Sequence, residues 1–297
     1  GRLAMCDPDP AARASQKPAT DQVSVSFFES HCRLLEQFNP DIVFVAVPNT
    51  QYPDIVEACL ESGVPVIKEK PRALSQNESD RYDHIAECYG AWWGVMQQAM
   101  LSTHFCRARH WLHSGKIGTP TRFLYVHRLD DREYSWYWSK DQGGGCWLNM
   151  GWHQCFMTHW FFDSPTITSI QRTSGTCREW KYDVDDTVHA AIQTASGVEG
   201  QVHLTTTGQQ KRYRFCIEGT DGDIVVKRDR SKLLNSNGET LSASYFDEYA
   251  SAPYIQIMED AIQRRSAGHQ LEVFQRLRRT NALTASMVRE GIQLSSN

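Results

Sequence analysis

The chain has 297 residues, a formal net charge of −4 and 40% hydrophobic residues. That is enough sequence for two domains with sizeable cores, and the balance of charge gives no reason to expect nucleic acid as a partner. No apolar run approaches the ~20 residues that a membrane helix needs, and the opening residues carry no secretory pattern.

The first hundred residues alternate short apolar strands with helical segments. Leu3–Cys6 reads as a strand ending at Asp7-Pro8-Asp9-Pro10. Ala11–Ala14 begins a helix that Lys17-Pro18 interrupts, and Ser24–Phe28 is a second short strand. Glu29–Phe38 has helical spacing, with Leu34, Leu35 and Phe38 apolar. A strand at Ile42–Val47, a helix at Asp54–Ser62 and a strand at Val64–Ile67 follow. Ser75 stands as N-cap of a helix reaching Tyr89, and Trp92–Met96 closes the series as a strand. Such βα alternation predicts a mostly parallel sheet covered on both faces.

Beyond Gln97 the pattern changes, so the predicted domains are 1–97 and 98–297. His104–His113 is a helix stopped by Ser114-Gly115. Arg122–Arg128 is a strand, and Trp147–Phe162 a strongly apolar helix behind three glycines. Alternating segments at Thr166–Thr173, Thr187–Thr194, Gly200–Thr206, Arg212–Glu218 and Asp223–Lys227 predict an antiparallel sheet. Two helices, Tyr254–Ser266 and Val273–Glu290, end the chain. The fold class is α/β plus α+β: a Rossmann-like domain, then a large open antiparallel sheet.

Nine cysteines are scattered without a C-x-x-C pair. This argues against a metal site, and the odd number argues against a disulfide framework. A reducing, cytoplasmic setting is the expectation.

Ligands of open α/β sheets bind at the carboxyl ends of the strands, and polar groups gather there. Asp7 ends a strand and is suited to the ribose hydroxyls of a dinucleotide, although Asp-Pro-Asp-Pro is also ordinary turn chemistry. Pro48-Asn49 ends the central strand, where a loop can pass close to a nicotinamide or its ribose. Glu69-Lys70-Pro71 ends the next strand. A lysine there can donate to a substrate oxygen, with burial and neighbouring charge tuning its proton affinity, or it can be a plain surface ion pair.

A second constellation is Gly143-Gly144-Gly145-Cys146-Trp147-Leu148-Asn149-Met150-Gly151-Trp152-His153. The glycines permit an unusual backbone at a helix entry, and the i, i+4 spacing sets Asn149 and His153 on one helix face. A neutral imidazole there can accept a substrate proton. The competing reading is a core histidine among Trp147, Trp152, Phe156, Trp160 and Phe161. His159 reads as structural, Asp185-Asp186 as a turn or cap, and Trp136-Tyr137-Trp138 as either a sugar-stacking surface or core.

Taken together, these segments resemble the Gfo/Idh/MocA family of oxidoreductases. The carrying motifs are Cys6-Asp-Pro-Asp-Pro10, Val45-Ala-Val-Pro-Asn49, Glu69-Lys-Pro71, Ser114-Gly-Lys-Ile-Gly118, the glycines with Asn149 and His153, and Glu218-Gly-Thr-Asp-Gly222. The resemblance implies a Rossmann domain followed by an open-faced sheet domain through which copies often pair as homo-oligomers. It also implies NAD(P)-dependent oxidation or reduction of a sugar, cyclitol or similar hydroxyl compound. Lys70, His153 and Asn149 would stand at the reacting carbon, and NAD, with NADP as the alternative, at Asp7, Pro48, Asn49, Glu69 and Lys70.

The chain departs from the family pattern at several points. Asn149 stands where Asp is common, Phe156 where an acid is common and Tyr52 where His is frequent. Gln97-Gln98-Ala99 replaces a segment that often carries Arg. The G-x-G-x-x-G loop expected ~20 residues before the ribose acid is also missing, since only six residues precede Asp7. Two expectations compete here, a sequence without its first strand and loop or a protein that has lost dinucleotide binding, and Gly1 favours the first. A non-catalytic sensor of sugar or dinucleotide, or an inactive fragment of the enzyme, is the alternative function.

Overall fold

The computed structural model describes residues 2–15, 24–96, 102–129, 135–174, 182–207, 211–245 and 283–291. The chain divides into two compact units. The first gathers 1–47, 51–69 and 76–94, and the second 48–50, 70–75 and 95–297.

In the first unit β1 (Arg2–Cys6) pairs in parallel with β2 (Ser24–Phe28), with α1 (Pro10–Ser15) between them. A separate sheet has the order β3 (Val43–Val45), β4 (Val66–Lys68), β5 (Trp93–Val95), and its β3–β4 pair is parallel. Each strand of this sheet has three residues, shorter than the apolar runs predict.

The helices are set by local chemistry. Ser30 caps α2 (His31–Phe38) by accepting the Arg33 N–H, and Asn39 ends it in the left-handed region at φ 51°, so the helix starts two residues later than its apolar spacing suggests. α3 (Tyr52–Glu61) has proline in its first turn, where the missing N–H costs nothing. It buries Tyr52, Val56, Cys59 and Leu60. α4 is Gln76–Cys88. All of β4 is buried, which suits a central parallel strand.

The second unit is built on an eight-stranded sheet of order β13-β12-β11-β10-β6-β9-β8-β7. Its strands are β6 (Pro120–Arg128), β7 (Thr166–Thr173), β8 (Thr187–Gln193), β9 (Glu199–Thr205), β10 (Arg212–Gly219), β11 (Gly222–Lys227), β12 (Arg230–Asn235) and β13 (Thr240–Tyr245). The sheet is mixed where the sequence predicts it antiparallel: β6 and β9 run parallel. A parallel pair needs a long crossover, and the chain from Arg128 to Glu199 supplies it through a helix and the β7–β8 hairpin.

One face alternates into the core with Phe123, Tyr125, Val188, Ile192, Val202, Leu204, Phe215, Ile217, Ile224 and Val226 buried. The unit's helices are α5 (Thr103–His113), α6 (Trp152–Phe161) and α7 (residues 283–291). The two outer strands β12 and β13 were not evident from the sequence, and the predicted helix over 254–266 lies outside the described residues. No helix among them is long and apolar enough to cross a membrane.

Candidate active site

The three consecutive glycines shape the entrance to the apolar helix. Gly143 and Gly145 have φ of +72° and +103°, which L side chains rarely adopt. Between them, a Cβ on Gly144 would lie 2.2 Å from the Tyr137 carbonyl oxygen, so this position admits no side chain without backbone movement. The helix then opens as a π turn, Trp147–Gly151, before continuing as α6. Single π turns of this kind recur at functional sites.

Asp185 fixes the start of that helix. Its carboxylate accepts the Trp147 N–H at 2.7 Å, and its carbonyl accepts the Cys146 N–H at 2.8 Å. The sequence reading of this residue as a turn or cap agrees with this geometry. Burial holds its carboxyl above the usual range, and the Trp147 N–H and Arg172 oppose the shift. Tyr182, Trp138, Tyr137 and Val184 pack together beside it, with Trp136 against them. Tyr137 and Trp138 are therefore core, and of the two readings offered for this aromatic run the packed one describes them.

Asn149, in the π turn, is only 4% exposed. Its amide nitrogen donates to the Gly145 carbonyl at 2.9 Å and more weakly to the Gly143 carbonyl at 3.4 Å. Those two acceptors turn its oxygen outward, and the Lys70 ammonium donates to that oxygen at 3.1 Å. Asn49 donates from its own amide to the same Gly143 carbonyl at 2.7 Å. Two segments far apart in sequence, 48–50 and 70–75, thus join the glycine loop and the helix within one unit. The Lys70–Pro71 peptide is cis.

His153 follows Asn149 by four residues and is half-buried, whereas its neighbours Trp152 and Gln154 are buried. Gln154 in turn reaches His127 Nδ1 at 3.4 Å. An ammonium can donate, a carboxamide can orient it and an imidazole can accept, so these residue types could handle a proton together.

The other predicted residues belong to the first unit, except that Pro48 sits half-buried beside Asn49. Asp7 ends β1. Its Oδ1 accepts the Asp9 N–H at 2.8 Å, an Asx turn, and the Arg13 guanidinium donates to its carbonyl. The turn chemistry and a role toward ribose are compatible, because the turn engages one carboxylate oxygen. Glu69 is half-buried, and its N–H donates to the Val45 carbonyl at 2.9 Å. After burial itself, Glu69 is the main influence raising the Tyr52 phenol above its ordinary range.

Sequence reasoning overlooked Lys68. It is fully buried, with its ammonium 3.7 Å from the centre of the Tyr52 ring. A cation on an aromatic face recovers part of what burial costs it. The available signal was a lysine directly after the apolar run Val64–Ile67, where it closes the fully buried β4.

Comparison with known proteins agrees with this architecture. Residues 4–96 match the family model described as "Oxidoreductase family, NAD-binding Rossmann fold". Residues 105–225 match the GFO/IDH/MocA C-terminal domain. Levoglucosan dehydrogenase of Pseudarthrobacter phenanthrenivorans is 24% identical over 267 residues, covering 78% of this chain and 66% of that protein. A dTDP-3,4-didehydro-2,6-dideoxy-alpha-D-glucose 3-reductase of Saccharopolyspora spinosa is 27% identical over 241 residues, covering 76% and 69%.

Among solved structures, levoglucosan dehydrogenase in complex with NADH and levoglucosan superposes with a TM-score of 0.81 at 17% identity, covering 99% of this chain and 88% of that one. The chain spans about two thirds of the length of the curated relatives it matches. With both of its domain types matched in order, the chain belongs to the Gfo/Idh/MocA oxidoreductase family, with an NAD-binding Rossmann unit ahead of the family's C-terminal domain.

Proposed function

We propose that the protein is an NAD-dependent dehydrogenase or reductase acting on a CH–OH carbon of a sugar-like compound, with Lys70 and His153 at the reacting carbon. The observation that carries this reading is the Lys70–Asn149 hydrogen bond on a glycine-shaped helix entrance. The family match and the sugar-acting relatives support the reaction class.

Bound nicotinamide supplies the two-electron acceptor or donor of such a reaction. The chain's own residues handle the proton. His153 takes it from the substrate hydroxyl during oxidation and returns it during reduction. Lys70 donates a hydrogen bond to the same oxygen and stabilises negative charge that develops there. Asn149 holds the ammonium in position.

Asp7 would receive the adenosine ribose. Its carboxylate stands at the end of a strand with one oxygen engaged in the Asx turn, so the residue fits that role. Pro48, Asn49 and Glu69 would flank the cofactor, with Asn49 acting through its grip on the Gly143 carbonyl. The cytoplasm is the proposed setting. Pairing of two copies through the large sheet is the proposed assembly, since Leu124, Val126 and Val225 on the face opposite the core are only half-buried among the described residues.

The test is kinetic. Lys70→Ala and His153→Ala should each lower kcat by at least about a hundredfold while thermal melting stays near that of the parent, and NADH titration should be unchanged in His153→Ala. Unchanged turnover in either variant would remove that residue from the chemistry.

A second reading has its own support. β1–β2 and β3–β4–β5 form separate sheets, and Leu3, Phe27 and Phe44 are 39%, 43% and 38% exposed on them. Strands with uncovered apolar side chains hold a cofactor poorly, so these 297 residues alone would bind NADH weakly. Fluorescence titration separates the two readings: micromolar affinity sustains catalysis by this chain as it stands, and no binding at millimolar NADH supports the defective form.

A further inference from the structure

A cavity of about 280 Å³ lies at the end of the large sheet where β10 begins and β11 ends. Lys211, Arg212, Arg214, Lys227 and Arg228 line it, with Asp229 as the one carboxylate. The whole chain carries a net charge of −4, so five cations around one small cavity run against the overall balance. Asp229 does not offset them fully, because its carboxylate also meets Arg230 at 3.2 Å.

The strand register concentrates this charge. Arg214 stands directly opposite Lys227 on β11, and Arg212 directly opposite Arg128 on β6. Directly opposed residues share a face, and like charges so opposed destabilise the pairing. Arg212 and Arg214 are two apart on one strand, so all four cations occupy the face away from Phe215 and Ile217. At the far end of the same strands, by contrast, Arg122 is bonded to Glu218 through both Nε and Nη2.

The positive field reaches further across this face. His203, on β9, is held below its ordinary range by burial and then by His189 and Arg128. Its ring meets that of His189 with Nδ1 atoms 2.5 Å apart. The Arg214 Nε donates to the Cys216 sulfur at 2.8 Å, which ties that nitrogen along the strand. Among the described residues, no carboxylate pairs with Arg212, Lys227 or Arg228.

We propose that this cavity is a phosphate-binding site, taking the phosphate or diphosphate group of a small phosphorylated molecule. Arginine forks match phosphate oxygens in pairs, and a doubly charged anion between Arg212, Arg214 and Lys227 turns the opposed like charges into bridged ones. The cavity admits a diphosphate but is smaller than most sites that enclose a whole ligand, so the remainder of the ligand extends out of it. Tyr213 ties the cavity to the reaction site, its ring 5.2 Å from that of His127, which contacts Gln154 beside His153. The proposal goes beyond the proposed reaction and is tested without turnover.

Calorimetry on the full chain would compare inorganic phosphate, a hexose phosphate and a nucleoside diphosphate at fixed ionic strength. The Arg212→Gln/Arg228→Gln double variant, at two exposed positions, is the test, and Arg122→Gln is the control. Binding of at least one probe, weakened roughly tenfold or more in the double variant and unaltered in the control, supports the site. The best-bound probe then identifies the ligand's source. Equal affinities in parent and double variant, or no binding of any of the three at millimolar concentration, would overturn it.

Discussion

Lys70 and Asn149, 79 positions apart in sequence, meet through a hydrogen bond from ammonium to amide oxygen at 3.1 Å. The orientation of that amide is fixed from behind by the Gly145 and Gly143 carbonyls, toward which its NH₂ group can donate and its oxygen cannot. A carboxylate at the same position would gain an ion pair with Lys70 but turn an oxygen toward two carbonyl oxygens. Asn149→Asp is therefore expected to destabilise the protein by about 1–3 kcal/mol, seen as a lower Tm at neutral pH. The loss should shrink at acid pH, where the introduced carboxyl is protonated and can donate. An unchanged Tm at pH 7 would mean that the two carbonyls do not select the amide.

Gly144 makes a sharper structural prediction. A Cβ there meets the backbone oxygens of Tyr137 at 2.2 Å and Ser139 at 2.8 Å, and neither can swing away as a side chain would. Gly144→Ala should cost more than the ~1–3 kcal/mol typical of overpacking and shift the helix entrance, so that kcat falls together with Tm. Gly197→Ala serves as comparison. It has a positive φ, of 84°, which Gly144 does not, but nothing within 4 Å of the added carbon, so it reads backbone strain without a clash. A loss at Gly144 no larger than at Gly197 would show that the Tyr137 and Ser139 carbonyls yield to the added carbon.

What the sequence disclosed, and what it did not, follows from how local each determinant is. The apolar run Val64–Ile67 announces a buried strand because its burial is continuous along the chain; Val43–Val45 is legible from its apolar residues although Phe44 is exposed. The Gly-Gly-Gly run announces a helix entrance because only glycine tolerates such a backbone. By contrast, β12 and β13 carry Arg230, Lys232, Thr240 and Ser242, a polar pattern typical of outer strands, and the sequence assigns no element there. The parallel β6–β9 pair rests on a crossover with no short-range signature.

Within the candidate site, the sequence proposes Asn149 and His153 as a pair on one helix, whereas Asn149 lies in the π turn that precedes α6. That Asn49 serves the Gly143 carbonyl was not legible, since a contact over 94 residues leaves no trace in local composition. The aromatic run Trp136–Trp138 suits a core as well as a sugar platform, and only the packing of Tyr182 and Val184 decides between them.

In the proposed cofactor site, Asp7 would govern the choice between the two nicotinamide cofactors. Its carboxylate would repel a 2′-phosphate, whereas Arg13, already bonded to the Asp7 carbonyl, would attract one. The parent protein should bind NADH more tightly than NADPH. Asp7→Ser should narrow or reverse the preference by roughly tenfold, or about 1.4 kcal/mol, chiefly through tighter NADPH binding. Paired fluorescence titrations measure both, and a parent that prefers NADPH would remove Asp7 from the ribose site.

His159 predicts how acid weakens the second unit. Burial lowers its imidazole from 6.5 to about 4, against a raising contribution from its hydrogen bond to the Leu283 backbone. The unfolded chain takes up the proton near its ordinary value, and the folded chain does so only near 4. Stability from this group is therefore complete above about pH 6.5, declines as pH falls toward 4, and levels off below, where both states are protonated. The loss is at most about 3 kcal/mol. His104 and His203 are lowered as well and contribute with the same sign, so the difference between proteins is the useful quantity. His159→Phe keeps a ring in the packed helix and removes the proton site. Urea unfolding at a series of pH values between 4 and 7 should show a shallower acid decline in the variant than in the parent. Parallel curves would mean that the buried face of α6 opens and hydrates His159 before the fold is lost.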